Sequence, residues 1–210
     1  MAILPTLYDA ILDGNATAAT ETTQTSLAAG VNPQSLVDDT MIPAMNEVGQ
    51  RFERSEYFVP ELLLAARAMK SALELIRPLL TASGVQPVGR VVLGTVKGDQ
   101  HDIGKNLVGA MLEGGGYEVI DLGVNVAPEH FVAAVQARKA QFVALSALLT
   151  TTRDMMKVTI EALTKAGLRD QVKVLVGGAP IDEAFAQSIG ADGYGESAAS
   201  VVALAKRVAA

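Results

Sequence analysis

The sequence predicts an α/β protein in which a four-helix bundle precedes a five-stranded, doubly wound parallel sheet. Three observations support this fold class. Apolar residues recur at helical spacing up to about residue 82, small and turn-forming residues then follow at Thr81–Pro87, and five short β-branched runs alternate with helical segments after that. We therefore expect a helical domain at residues 1–84 and an α/β domain at residues 88–210.

The N-terminal part shows two apolar stripes that step by three and four residues, as amphipathic helices do. The residues of these stripes are Leu62, Ala66, Met69, Leu73, Ile76 and Leu80 in the first, and Ile42, Met45, Val48 and Phe52 in the second. Asn32-Pro33 is typical of a helix start, and Gly14 and Gly30 are typical of helix ends. These signals predict four short helices.

The C-terminal part contains the five predicted strands, which are Arg90–Thr95, Glu118–Leu122, Phe142–Ser146, Lys173–Gly177 and a short run ending at Tyr194. Sheets of this type bind ligands beyond the carboxyl ends of their strands, where the strand order reverses. Small and polar residues follow four of these strands, at Gly98–Gly104, Ser146–Leu148, Gly177-Gly178 and Tyr194-Gly195. The sequence thus predicts a ligand site at this edge.

Composition narrows the possible functions. The chain has 210 residues, of which half are hydrophobic, with no cysteine or tryptophan and a net charge of −6. Without a Lys/Arg cluster, a nucleic-acid-binding surface is not expected, because phosphate neutralisation dominates such binding. The N-terminal segment lacks the features of a signal peptide, and no apolar run is long enough to span a bilayer, so we expect a cytoplasmic protein without a membrane partner.

Asp99 and His101 are the strongest candidates for chemistry. A histidine binds a metal through one ring nitrogen when the other nitrogen has a partner, and a carboxylate two residues away can be that partner. The alternative is a helix N-cap carboxylate beside an ordinary surface histidine. A phosphate-binding P-loop does not fit, because five residues separate Gly98 from Gly104 and Asn106 stands where Ser or Thr is required.

The segment Asp99-Gln100-His101-Asp102-Ile103-Gly104 resembles the cobalamin-binding signature of methionine synthase and of the corrinoid proteins of methyltransferase systems. The resemblance implies that His101 is the lower axial ligand to the cobalt of cobalamin or a related corrinoid, in place of the benzimidazole of the cofactor. It also implies a relay of catalytic residues from Thr152 through Asp99 to His101. The implied cofactor contacts are Gly98, Asp99, His101, Asp102, Ile103, Gly104, Ser146, Leu148, Thr150, Thr152, Gly177, Gly178 and Tyr194.

Some of these residues also have simpler interpretations. The hydroxyl residues after the third strand can cap the next helix, and Gly177-Gly178 can be an ordinary turn. The helical half resembles the cap that covers the corrin in the same family, which implies contacts from Phe52 and Val59. Met41, Met45 and Met69 are expected in the bundle core. We expect His130 to be solvated and find no sign of a second metal site.

The resemblance implies a stand-alone carrier of a methyl group on cobalt, itself a non-catalytic component. Its implied partners are a substrate-specific corrinoid methyltransferase, a second methyltransferase that delivers the methyl to tetrahydrofolate or coenzyme M, and a reductive activator of the corrinoid. Two alternatives remain open. One is the small subunit of a cobalamin-dependent mutase, and the other is a cobalamin-sensing or storage protein. The methyl donor is not evident from the sequence.

Overall fold

The computed structural model describes residues 3–84 and 86–209, and for residues 3–6 and Thr81 it describes the main chain only. Four residues of the predicted organisation lie outside the described residues. They are Met1 and Ala2 at the start of the predicted helical domain, Val85 in the predicted linker, and Ala210 at the end of the predicted α/β domain. The chain divides into two compact units. A helical unit runs to Val88 and includes Ala110–Gly116, and a sheet unit comprises Gly89–Gly109 and Tyr117 onwards.

The helical unit contains α1 (Ile3–Leu12), α2 (Ala16–Ala28), α3 (Pro33–Leu36), a π-helical turn (Val37–Met41), α4 (Ile42–Glu53) and α5 (Val59–Ala82). Asn15 and Asn32 cap α2 and α3 with their side-chain oxygens. The π turn has a local cause in Pro43. Proline has no N–H to donate and its ring clashes with the carbonyl four residues earlier, so the main chain widens and Ile42 donates to Val37, five residues back.

Helix α5 packs against α2, and small side chains are buried on both helices. The buried face of α5 includes Leu62, Met69 and Ile76 of the predicted stripe together with Ala65, Ala68 and Ala72, whereas Ala66, Leu73 and Leu80 are only half-buried. On α2 the buried residues are Ala19, Thr23 and Ser26, and both hydroxyls donate to carbonyls of their own helix. Small residues on both helices let the main chains approach closely, which a search for large apolar residues does not detect.

The sheet unit has five parallel strands in the order β2-β1-β3-β4-β5. From residue 90 onwards the elements are β1 (Arg90–Thr95), α6 (Ile103–Gly114), β2 (Glu118–Asp121), α7 (Pro128–Arg138), β3 (Phe142–Ser146), α8 (Asp154–Lys165), a 3₁₀ turn (Arg169–Gln171), β4 (Lys173–Gly177), α9 (Glu183–Ser188), β5 (Gly193–Gly195) and α10 (Val201–Ala209). All of them belong to the sheet unit except the second half of α6, which belongs to the helical unit from Ala110. The predicted fold class is confirmed.

Three boundaries differ from the prediction. Strand β2 stops at Asp121, one residue early, because Gly123 takes a left-handed conformation (φ +82°) and turns the chain. Strand β5 continues to Gly195, which pairs with Gly177. Helix α5 is not short, since it spans 24 residues and includes the first two residues of the predicted linker.

Candidate cofactor-binding site

His101 lies in the loop between β1 and α6, and its imidazole is held by Asp99. Gly98 starts the loop in a left-handed conformation (φ +86°). The Nδ1 atom of His101 lies 2.7 Å from Asp99 Oδ1, and the His101 main-chain N–H donates to the same oxygen at 3.1 Å. An ionised carboxylate only accepts, so in the neutral imidazole the hydrogen is on Nδ1 and Nε2 keeps its lone pair. The side chain of His101 is 48% exposed, which leaves it accessible to a ligand.

Asp99 itself is fully buried and accepts hydrogen bonds on both oxygens. Its Oδ2 accepts from the Thr152 hydroxyl at 2.7 Å and from the Leu148 N–H at 2.8 Å. Burial by itself raises the pKa of Asp99, but the hydrogen bonds from Thr152, Leu148 and His101 together outweigh it and hold the pKa below the ordinary value. The carboxylate therefore stays charged beside the imidazole.

Strand order explains why Asp99 and Thr152 meet. β1 is flanked by β2 and β3, so the connections after β1 and β3 leave the sheet in opposite directions and open a crevice between them. Asp99 follows β1 and Thr152 follows β3, and their hydrogen bond joins the two loops across this switch point. Thr152 does not cap α8, whose first turn has no side-chain cap.

The loops after β3, β4 and β5 come together at glycines. A Cβ on Gly178, where φ is +131°, would lie 1.9 Å from the carbonyl oxygen of Ala147, so no side chain fits there. A Cβ on Gly177 would lie 3.0 Å from the carbonyl oxygen of Gly195. In contrast, a Cβ on Gly104 would meet no atom within 4 Å. The strand ends are thus closely packed, while the space beside Gly104 is open.

The remaining predicted contacts of the sheet unit surround the same loops. Ser146 ends β3 half-buried, Tyr194 is half-buried in β5, Thr150 is exposed, and Asp102 is exposed and accepts from Asn106. Ile103 is 67% exposed, and Leu148 and Leu149 are exposed as well. Large apolar side chains that face solvent beside a histidine fit a ligand with a broad apolar face.

The two predicted cap residues lie in the helical unit. Phe52, near the end of α4, is half-buried, and Val59, the first residue of α5, is exposed. Arg51 supports the connection between these helices, since it donates to Glu47 at 2.8 Å and to the Tyr57 hydroxyl at 2.9 Å. As expected, Met41, Met45 and Met69 are buried and His130 is exposed.

Sequence reasoning missed three groups that hold the histidine loop. Thr95, the last residue of β1, is fully buried and donates its hydroxyl to the carbonyl of His101 at 2.8 Å. Asn125, in a left-handed conformation (φ 54°), accepts from the Gly98 N–H at 2.7 Å. A conformational signal existed for Asn125, because asparagine tolerates this conformation better than most residues.

The third group is an ion pair at the start of α6. The side chain of Lys105 is 2% exposed, and its Nζ donates to Asp121 Oδ2 at the end of β2 and to Asn106 Oδ1. Asp121 Oδ1 also accepts from the Gly123 N–H at 2.8 Å. The pair therefore ties the first turn of α6 to the loop after β2. A lysine in a Gly-rich turn is usually solvated, so the sequence carried no signal for its burial.

Among the described residues, no three His, Cys, Asp or Glu side chains are grouped so that they could hold a metal ion, and none of the described helices is long and apolar enough to cross a membrane. The fold and site define a class: a doubly wound parallel-sheet domain with a buried aspartate bonded to a half-exposed histidine at its switch point, beside exposed apolar side chains.

Comparisons with known proteins identify the family. A model described as a B12 binding domain matches residues 89–203, and a second model with the same description matches residues 3–77. The chain is 42% identical over 208 residues to trimethylamine corrinoid protein 1 of Methanosarcina acetivorans. The aligned region covers 98% of this chain and 96% of the relative.

Two solved structures are similar over nearly the whole chain. One is a cobalamin-binding protein from Desulfitobacterium hafniense, with 34% identity, a TM-score of 0.80 and coverage of 98% of both chains. The other is the methanol:cobalamin methyltransferase complex of Methanosarcina barkeri, with 31% identity, a TM-score of 0.87 and coverage of 99% of this chain and 80% of that one. The protein belongs to the corrinoid proteins with B12-binding domains, which confirms the resemblance drawn from residues 99–104.

Proposed function

We propose that this protein is a corrinoid methyl carrier in which His101 is the lower axial ligand of the cobalt. When bound, the corrinoid supplies a cobalt atom that accepts a methyl group from one partner and yields it to another. The observation that carries the proposal is the 2.7 Å contact between His101 Nδ1 and the buried carboxylate of Asp99, which leaves Nε2 as the ligating atom of a half-exposed imidazole.

The residues present fit such a cofactor. Exposed Ile103, Leu148 and Leu149 offer an apolar surface to a macrocycle. The open space beside Gly104 leaves room for part of the cofactor to approach the main chain. Gly177 and Gly178, which let the neighbouring strand ends pack closely, are also proposed cofactor contacts. The other cofactor contacts that we propose in the sheet unit are Gly98, Asp102, Ser146, Thr150, Thr152 and Tyr194. Phe52 and Val59 are proposed contacts from the helical unit.

Asp99 and Thr152 set the tautomer and the orientation of the His101 imidazole. The carboxylate keeps the hydrogen on Nδ1 and strengthens Nε2 as a donor to the metal. The Thr152 hydroxyl and the Leu148 N–H hold the carboxylate in place, so the orientation of His101 depends on both loops of the switch point. Together these residues retain the cofactor and hold a proton on Nδ1 of His101.

The proposed partners are methyltransferases. One transfers a methyl group from a small substrate to the carrier, and the second passes it to tetrahydrofolate or coenzyme M. A third proposed partner is a reductive activator, which would return an oxidised corrinoid to its reduced form. Support comes from a relative named for trimethylamine and from a structural neighbour that is a methyltransferase complex. A methylamine is the substrate class that we favour. A cytoplasmic location is part of the same proposal.

The test is a methyl-loading experiment. The chain is reconstituted with hydroxocobalamin, freed of excess cofactor, reduced, and mixed with a methylamine methyltransferase and ¹³C-methyl trimethylamine, with the cofactor-free chain as the control. We expect close to one labelled methyl per loaded chain and transfer on to an acceptor when the second methyltransferase is added. A chain that retains the corrinoid but takes no methyl from methylamine, methanol, methoxylated aromatic or betaine systems would instead be a storage or sensing protein.

A further inference from the structure

The main chain of the histidine loop is held by bonds that do not involve the Asp99 carboxylate. Thr95 is fully buried at the end of β1, and its hydroxyl donates to the main-chain carbonyl of His101 at 2.8 Å. Thr95 is itself fixed, because its N–H donates to the Gly123 carbonyl at 3.0 Å and its carbonyl accepts from the Val126 N–H at 2.9 Å. The carbonyl of His101 is thereby attached to the sheet.

Asn125 holds the turn that precedes the histidine. Its Oδ1 accepts from the Gly98 N–H at 2.7 Å, and its own N–H donates to the Asp99 carbonyl at 2.9 Å. Asn125 makes both bonds from a left-handed conformation (φ 54°), which asparagine adopts more readily than most residues. Asn125 therefore binds the main chain at Gly98 and Asp99, and Thr95 binds it at His101.

The hydroxyl of Thr95 has no packing advantage over a methyl group. Valine has the same shape, suits a buried strand better, and carries no polar atom that must find a partner. A buried hydroxyl is tolerated because it is hydrogen-bonded, and its partner is the carbonyl of the proposed metal ligand.

We propose that Thr95 is a positioning residue for His101, assisted by Asn125. The Asp99 carboxylate fixes the ring of His101, and Thr95 fixes the backbone from which that ring projects, so both ends of the side chain are set before a ligand binds. This inference rests on the proposed role of His101 as axial ligand, and it adds a second, independent support for that residue.

The experiment compares Thr95→Val with Thr95→Ser, which restores the hydroxyl. Thr159→Val is the matched control, since Thr159 is also fully buried in the sheet unit and donates to a main-chain carbonyl, that of Met155, at 2.8 Å. Two signals are measured: the ¹⁵N chemical shifts of the His101 ring in the cofactor-free protein, and the histidine-bound fraction in the visible spectrum after loading with hydroxocobalamin.

For Thr95→Val we expect shifted, broadened ring resonances, a smaller histidine-bound fraction, and corrinoid dissociation about fivefold faster, the effect of one lost hydrogen bond. Thr95→Ser recovers both signals, and Thr159→Val leaves them unchanged. Wild-type ring shifts together with a wild-type spectrum in folded Thr95→Val would overturn the inference, as would equal effects from Thr159→Val.

A second variant decides the matter if Thr95→Val does not fold. Asn125→Gly allows the left-handed main chain and its bond to the Asp99 carbonyl, and it removes the side chain with the Oδ1 acceptor. Lys139→Gly, at another left-handed position of the sheet unit, is its control. We expect shifted His101 ring resonances in Asn125→Gly alone, and unchanged resonances would count against the inference. Failure of the proposed function appears separately, as a His101→Ala spectrum identical to that of the wild type, because the ring shifts are recorded without cofactor.

Discussion

The hydroxyl of Thr152 donates to Oδ2 of Asp99 at 2.7 Å and joins the loops after β3 and β1. Asp99 is fully buried, and a charged buried group is tolerated when its acceptor positions are filled. Thr152 fills one of them, the Leu148 N–H shares that oxygen, and His101 occupies the other oxygen. Through Asp99, the orientation of the His101 imidazole therefore depends on Thr152, which lies 51 positions further along the chain.

Removal of the Thr152 hydroxyl should destabilise the sheet unit. Thr152→Val leaves the buried carboxylate short of a donor, and we expect the free energy of unfolding to fall by about 1–3 kcal/mol. Urea denaturation followed by circular dichroism measures it. Thr152→Ser keeps the hydroxyl and should lose much less, so equal stabilities for the valine and serine variants would contradict this role.

Gly178 should not tolerate any side chain. In Gly178→Ala the new Cβ would meet the Ala147 carbonyl at 1.9 Å, so the strand ends must separate. We expect a loss of at least about 3 kcal/mol in unfolding free energy, together with weaker corrinoid retention.

Gly190→Ala is the control for this variant, because Gly190 is also left-handed (φ +77°) but has no atom within 4 Å of its Cβ position. It should lose only about 1 kcal/mol, the cost of the strained conformation, and retain the corrinoid. Comparable losses in the two variants would show that conformation, and not close packing, requires glycine at position 178.

The two partners of the Lys105–Asp121 pair should not be equivalent. Lys105 is almost completely buried, whereas the Asp121 side chain is 42% exposed. Asp121→Asn leaves a buried ammonium without its counter-ion and should cost about 2 kcal/mol, while Lys105→Met leaves an aspartate that water can reach and should cost less than about 1 kcal/mol. Urea denaturation of both variants tests the order, and a larger loss for Lys105→Met would contradict it.

The fold and the central motif could be predicted because they rest on local patterns. Five β-branched runs separated by helical segments define a doubly wound sheet, and the segment from Asp99 to Gly104 needs only its own residues to be recognised. The contact between Thr152 and Asp99 was also predicted, from the resemblance to a known family. The geometry of residues 98–104 and of the loop after β3 is consistent with both expectations.

The supports of the site could not be predicted because they depend on tertiary contacts. Thr95 has the pattern of an ordinary strand residue, and only the folded conformation of the loop after β1 brings the His101 carbonyl to its hydroxyl. Lys105 is buried because Asp121, on a different strand, lies next to it. The buried alanines of α5, Ala65, Ala68 and Ala72, were missed because helical spacing was traced mainly through large apolar residues.

The central claim is that His101 binds the cobalt of the corrinoid, and the most direct measurement is the visible spectrum of the reconstituted protein. Wild type, His101→Ala and His130→Ala are loaded with hydroxocobalamin and freed of excess cofactor. His130, the other histidine, is exposed on α7 and serves as the control. We predict a stoichiometrically retained, base-off and histidine-bound spectrum in wild type and His130→Ala, and its loss in His101→Ala. A His101→Ala protein with the wild-type spectrum would contradict the account.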